Sequence, residues 1–221
     1  LGVGAYTHAF LLTNGIPFYY SIIIAVAVSF FVGAAIGFPI LRLTGMYLAI
    51  ATLAFGFIAE HVFIRWEHFT GGNRGMVVPT PEFAGISFYD SSTFYYVCLV
   101  ALIASMFAAI NILRSPTGRA FVAIRDSEIA AQSLGVNIAR YKALSFAISA
   151  GFTGLAGALL AHYIGYLAPD IFNIFLSLTL LLLIVVGGMG SLHGTIYGAI
   201  FVGSLPQMIA IGRDYLPSSI G

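Results

Sequence analysis

The sequence predicts an all-α fold, a polytopic bundle of transmembrane helices. Of its 221 residues, 60% are hydrophobic and 8% charged, against about a quarter charged in an ordinary soluble domain. Mean hydropathy is +1.00. Apolar runs of membrane length recur between short polar stretches, and roughly 20 apolar residues in a helix cross a hydrocarbon core about 30 Å thick. The runs do not alternate in polarity as the strands of a transmembrane barrel must, which excludes that architecture.

Spans fall near residues 1–13 (a partial one), 18–41, 46–64, 94–113, 142–162, 171–188 and 195–212. They form one membrane domain over 1–221. The chain opens on Leu1-Gly2-Val3 with neither an initiator Met nor a basic leader. It reads as a piece that begins inside a span, with further helices expected before Leu1 and room for one after Gly221. Glycine occurs 25 times, and Gly33, Gly37, Gly151, Gly154 and Gly157 lie within spans. Small residues three or four apart let helix backbones approach where lipid supplies no hydrophobic drive for association.

Charge sets the orientation. The stretch 114–142 holds Arg114, Arg119, Arg125, Arg140 and Lys142 against Asp126 and Glu128, which places it in the cytoplasm by the positive-inside rule. The loop 65–93, with Arg65 and Arg74 against Glu67, Glu82 and Asp90, then faces the other side, Arg42 the cytoplasm, and Asp170 the outside. Net charge is only +1 and the basic residues form no stripe, so the footprint of a nucleic-acid binder is missing. Cys98, the single cysteine, lies in an apolar run and reads as a packed thiol.

Several chemistries drop out. A Walker A loop needs Gly-Lys followed by Ser or Thr, yet the only lysine is Lys142, between Tyr141 and Ala143. His8, His61, His68, His162 and His193 make no His-x-x-x-His pair on one helix face, so neither a metal centre nor a hydrolase is indicated. An ion-coupled carrier would place ionisable relays inside the membrane. Here the span interiors are nearly free of charge, and Glu60 lies toward the outer end of its span.

The cytoplasmic stretch predicts a short helix from Thr117 to Leu134, with Ser115 as its cap, Pro116 at its first position and Gly135 as its stop. Ala120, Ala123, Ile124, Ala131 and Leu134 share one side. That pattern suits either a partner's groove or a lipid surface.

In this segment Arg125-Asp126-Ser127-Glu128-Ile129-Ala130-Ala131, followed by Gly135, resembles the Glu-Ala-Ala loop by which bacterial ABC import permeases engage their ATPase subunits. The residue inserted after Glu128 is similar to the variant in the branched-chain amino acid permease family. Three further stretches resemble that family: Leu41 to Gly56, Thr70-Gly71-Gly72-Asn73-Arg74-Gly75, and Gly187-Gly188-Met189-Gly190-Ser191-Leu192-His193-Gly194. Phe57, where relatives often carry an acidic residue, and Thr195, where proline often follows the late turn, depart from the pattern.

The resemblance implies a non-enzymatic permease subunit of an ATP-driven importer, translocating branched-chain or similar small amino acids across the bacterial inner membrane. Urea or short-chain amides are the alternative cargo within the same family, and an ion-coupled amino acid carrier the alternative class. Expected partners are a second permease subunit, two ATP-binding subunits and a periplasmic binding protein in a lipid bilayer, with no nucleic acid. The chain itself would hold no cofactor or metal, ATP being bound by a partner. Arg125, Asp126, Glu128, Ala131 and Gly135 are the residues expected to couple to the ATPase. Thr70, Gly71, Gly72 and Gly188 are expected on the translocation path; the outer glycines serve either as broken backbone whose exposed N–H groups meet a carboxylate or as a plain external turn, and the late turn is either a broken or re-entrant helix lining the path or a tight hairpin.

In a Cys98→Ala background, an impermeant thiol reagent applied to intact cells should modify a cysteine placed at Asn73 and spare one placed at Ser127. The reverse labelling would invert the topology.

Overall fold

The structure is a computed structural model that describes residues 1–40, 46–79, 82–83, 86–87 and 91–215. Arg42 and the opening Leu41-Arg42-Leu43-Thr44-Gly45 of the early signature lie outside the described residues, as does Asp90. The described chain is all-α apart from short strand pairs, and it falls into two compact units, Leu1–Asn173 and Ile174–Gly221.

In the first unit, α1 (Gly2–Thr13), α2 (Phe18–Ile40), α3 (Met46–Arg65), α5 (Ser91–Arg114) and α8 (Ile138–Ile164) occupy the expected spans. The one-turn helix α4 (Glu67–Thr70) follows α3, and α6 (Pro116–Asp126) and α7 (Glu128–Ser133) lie between α5 and α8. Among the described residues Phe18–Gly37, Ser92–Arg114 and Ile138–Ile164 are single helices long and apolar enough to cross a membrane.

The packing is made by small residues. A Cβ on Gly4 of α1 would fall on the backbone of Gly154 in α8, and one on Gly157 would fall on the backbone of Leu1. From the other side, α2 brings Ser29 against Gly154, while Gly33 lies against Ala150 and Gly37 against Phe146. Ala25 of α2, Ala147, Ala158 and Ala161 of α8, and Ala5 and Ala9 of α1 are buried between them. Without water in the bilayer there is no hydrophobic gain from burying Leu rather than Ala. Contact area comes from close approach, which glycine and alanine allow.

Over one end of this bundle sits the loop expected to face outward. Its strand β1 (Met76–Val77) pairs antiparallel with β4 (Tyr166–Leu167), which follows α8, and Val78 N–H donates to Gly165 C=O at 3.0 Å. Val78 and Leu167 close a buried cluster with Ala5, Tyr6, Ala9 and Ala161, flanked by Phe63, Phe69 and Phe172. A second pair, β2 (Glu82–Phe83) with β3 (Ile86–Ser87), is antiparallel.

In the second unit the late turn is a broken or re-entrant pair of helices, as expected at Gly187 to Gly194, although neither flanking span runs at full length. Here α9 (Ile174–Gly187) and α10 (Leu192–Tyr215) are bent against each other by 119° at the intervening break. The 14 residues of α9 reach about 21 Å at 1.5 Å each, short of the roughly 30 Å core. Gly188 (φ 96°) and Gly190 (φ 93°) force the turn with a left-handed backbone that other residues resist. Gly187 packs on Gly194, and a Cβ on Gly198 would strike the backbone of Leu183 and Gly187.

Gly154→Leu should therefore destabilise the folded protein by about 1–3 kcal/mol or more, by overpacking the site where α1 and α2 meet α8. Gly56→Ala, where no atom lies within 4 Å of an added Cβ, should be neutral or gain up to about 1 kcal/mol in helix propensity. Thermal unfolding of the purified protein in detergent separates the two.

Candidate functional site: the α6–α7 segment, the glycine turns and a histidine-lined cavity

The segment between α5 and α8 starts and ends as its sequence predicts, but it is two helices rather than one. Ser115 caps α6, its Oγ accepting from Gly118 N–H at 3.3 Å, with Pro116 in the first turn. The helix breaks at Ser127, whose backbone is extended (φ −161°, ψ 113°) and whose Oγ accepts from Ala130 N–H at 3.2 Å to start α7. A serine followed directly by Glu128 is itself a good helix start, and this local capping competes with continuing α6.

Gly135 ends the segment with φ 82° and nothing within 4 Å of where a Cβ would stand. Within this chain its glycine serves the left-handed turn and not a close approach. Ala131 is buried within the unit, whereas Arg125, Asp126 and Glu128 are exposed. Arg125 pairs with Asp126 at 3.2 Å, and Glu128 is in ion-pair contact with Lys142 in the first turns of α8. Leu134 and Ile129 both lie open, 82% and 81% exposed. The sequence reading placed Leu134 with the apolar stripe and did not single out Ile129. Only the break at Ser127 shows that α7 seats Ala131 and leaves these two outward.

The outer glycines are committed internally. Thr70 is fully buried; its hydroxyl lies 2.5 Å from Phe63 C=O and 2.9 Å from Trp66 C=O, and its Oγ1 accepts from Gly72 N–H at 3.2 Å. Gly71 N–H donates to Glu67 C=O at 2.9 Å, and Gly75 N–H to Gly72 C=O at 3.1 Å. The N–H groups expected to be free for a carboxylate are thus used to hold the turn, with Gly71 (φ 74°) and Gly72 (φ 58°) supplying its left-handed backbone. Tyr166 Oη donates to Arg74 C=O and pins the turn to the end of α8. Gly188, in the second unit, stands at the break between α9 and α10 with open space at its Cβ position.

A feature the sequence did not disclose lies where α1, α2 and α8 meet. Ser21 Oγ is 2.7 Å from His8 Nδ1, and His8 Nε2 is 2.7 Å from His162 Nε2. His8 and Ser21 are fully buried, and His162 is half-buried. The two histidines are 154 residues apart, so no spacing rule could have joined them. Among the described residues no third His, Cys, Asp or Glu completes a metal-binding group. Phe18 and Phe94 pack on the His162 ring, with centroids 5.1 and 6.0 Å away. Beyond His162 opens a cavity of about 870 Å³ between α5 and α8, and Cys98 is part of its wall.

Apolar helices joined by small-residue seams, with a polar helical segment at one end and a strand-clamped loop at the other, define a multi-pass membrane protein. The chain belongs to the family described as branched-chain amino acid transport system / permease component, whose model matches residues 1–216. It is similar to the high-affinity branched-chain amino acid transport system permease protein LivM of Escherichia coli and of Salmonella typhimurium. Each is 37% identical over 244 aligned residues, which cover 99% of this chain and 57% of the relative. The permease protein LivH of Escherichia coli is 32% identical over 105 residues, 48% of this chain and 34% of that protein. The chain therefore spans 57% of the length of the LivM relatives. No solved structure is a significant match.

Gly135→Ala should cost about 1–2 kcal/mol, the usual penalty of a left-handed backbone for a residue with a Cβ. Glu128 and Lys142 should show a coupling energy of no more than about 1 kcal/mol in a double-mutant cycle, because the pair is solvent-screened. Unfolding of the alanine variants measures both, and a neutral Gly135→Ala would contradict the assigned role of the turn.

Proposed function

We propose that the chain is a membrane-spanning permease subunit of an ATP-driven importer that carries branched-chain or similar small amino acids across the bacterial inner membrane. In this reading it works with a second permease subunit, two ATP-binding subunits and a periplasmic binding protein, and it supplies a path while a partner hydrolyses ATP. The observation that carries the reading is the α6–α7 segment. It lies outside the apolar spans, matches the family's motif, and leaves Ile129 and Leu134 exposed next to Arg125, Asp126 and Glu128. Two exposed aliphatic side chains in a short segment that also carries exposed charges are suited to contact with a partner surface that is part apolar and part polar.

The segment is also well placed to pass on motion. Ala131 is seated within the unit and Glu128 contacts Lys142, so a displacement of α7 by an ATPase would be felt at the base of α8. Arg125 and Asp126 supply charge at the contact, and Gly135 supplies the turn that returns the chain to α8. Relatives named for branched-chain amino acid transport support the cargo.

In the reconstituted transporter, uptake of leucine should require ATP and persist when the proton gradient is collapsed. Ile129→Asp and Leu134→Asp should each lower co-purification of the ATPase and uptake about tenfold, while leaving the amount of folded permease unchanged, since neither side chain is buried. Uptake driven by an ion gradient without ATP, or normal uptake by both variants, is incompatible with this reading. Competition by urea but not by leucine would reassign the cargo and leave the coupling intact.

A further inference from the structure

We propose that the cavity between α5 and α8 is a lipid site, taking one acyl chain of a phospholipid whose ester carbonyl is held by His162. Its walls are Leu102 and Cys98 of α5 with Leu159 of α8; His162, Tyr95 and Tyr163 stand at one end, and Ser105 at the other, its hydroxyl donating to Leu102 C=O at 2.8 Å. That end is the level of an aromatic belt. Tyr19 and Tyr20 at the start of α2, Trp66 after α3, Tyr95 and Tyr96 in α5, and Tyr163 and Tyr166 at the end of α8 are all exposed. Tyrosine and tryptophan collect where headgroup meets hydrocarbon, so the mouth of the cavity lies at the ester level of that leaflet.

Depth agrees with this assignment. From Tyr95 to Ser105 on α5, and from His162 to Phe152 on α8, is about 15 Å along each helix axis, half of the roughly 30 Å hydrocarbon core. The cavity is thus one leaflet deep. Ser105, Phe152 and Leu155 form its floor, beyond which a smaller hollow of about 420 Å³ continues between α2, α5 and α8. A zwitterionic amino acid would leave two charges among these apolar walls, which is costly without paired partners. A lipid chain brings no charge into them.

The histidine chain explains how a single carbonyl is recognised. The Nε2–Nε2 contact holds one proton, since two N–H groups would clash and two lone pairs would repel. The Ser21 hydroxyl has one hydrogen to offer, to Phe18 C=O at 2.8 Å or to His8 Nδ1 at 2.7 Å. If it goes to Phe18, His8 Nδ1–H donates to Ser21, His162 Nε2–H donates to His8, and His162 Nδ1 is left a bare acceptor. If it goes to His8, His8 Nε2–H donates to His162, and His162 Nδ1–H becomes a donor. An ester carbonyl accepts only, so it selects the second arrangement. Bound lipid thereby fixes the order of hydrogen bonds that join α8 to α1 and α2.

The test uses the assembled transporter in nanodiscs containing a phosphatidylethanolamine with a diazirine in mid-chain. Photolabel should concentrate on Leu102, Leu155 and Leu159, about tenfold above Phe31, which faces outward on α2 at 70% exposure. Ala156→Trp, which fills the cavity, should remove that excess and leave labelling at Phe31 unchanged. His162→Phe keeps a ring and removes the hydrogen bond, and it should lower the excess about threefold to tenfold, as expected for one such bond. Equal labelling at Phe31 and the cavity overturns the proposal. So does a photoreactive residue at Leu102 that crosslinks to polypeptide in place of lipid, which would show a protein helix in the groove.

Discussion

The first unit depends on how closely α1 and α2 approach α8. At Gly4, Gly154 and Gly157 two helix backbones meet with no side chain between them, and at Ser29, Gly33 and Gly37 the second helix comes almost as near. In a bilayer, contact area of this kind is the main source of cohesion, since lipid tails solvate a leucine as well as a protein interior does. The seam also brings Ser21, His8 and His162 within hydrogen-bonding distance, which more widely spaced helices could not do.

Much of what concerns function then converges on α8. Its first turns contact the α6–α7 segment through Lys142 and Glu128. Its middle carries the glycine seam. Its far end holds His162, the wall of the large cavity, and β4, onto which the outer loop is clamped. The helix is thus touched at both ends and gripped along its length. The glycines at 71, 72 and 75 contribute by letting the outer loop fold tightly over that end, with their N–H groups occupied by the turn itself.

The α6–α7 segment shows how far sequence reasoning reaches. Ser115, Pro116 and Gly135 marked its limits because capping and left-handed turns are local matters settled within a few residues. The break at Ser127 was legible in principle, since a serine before Glu128 is a helix start, but the apolar periodicity across it argued for one continuous helix. Which apolar residues face outward was not legible. Ala131 is seated while Leu134 and Ile129 lie open, an outcome set by how α7 packs within the unit, which the sequence does not encode locally.

By itself the sequence determined the solvent, the helical class, the positions of the long helices, and, through four ordered motifs, the family. These follow from composition and from spacing over a few turns, where hydrophobicity and backbone preference act directly. Only the tertiary structure decided that Thr70 and its glycines are internally bonded, that α9 and α10 bend by 119° at the expected break, and that two histidines 154 residues apart come within hydrogen-bonding distance beside a cavity. Those outcomes rest on which helix faces meet and how near they come, a property of pairs of helices and not of any one stretch of chain.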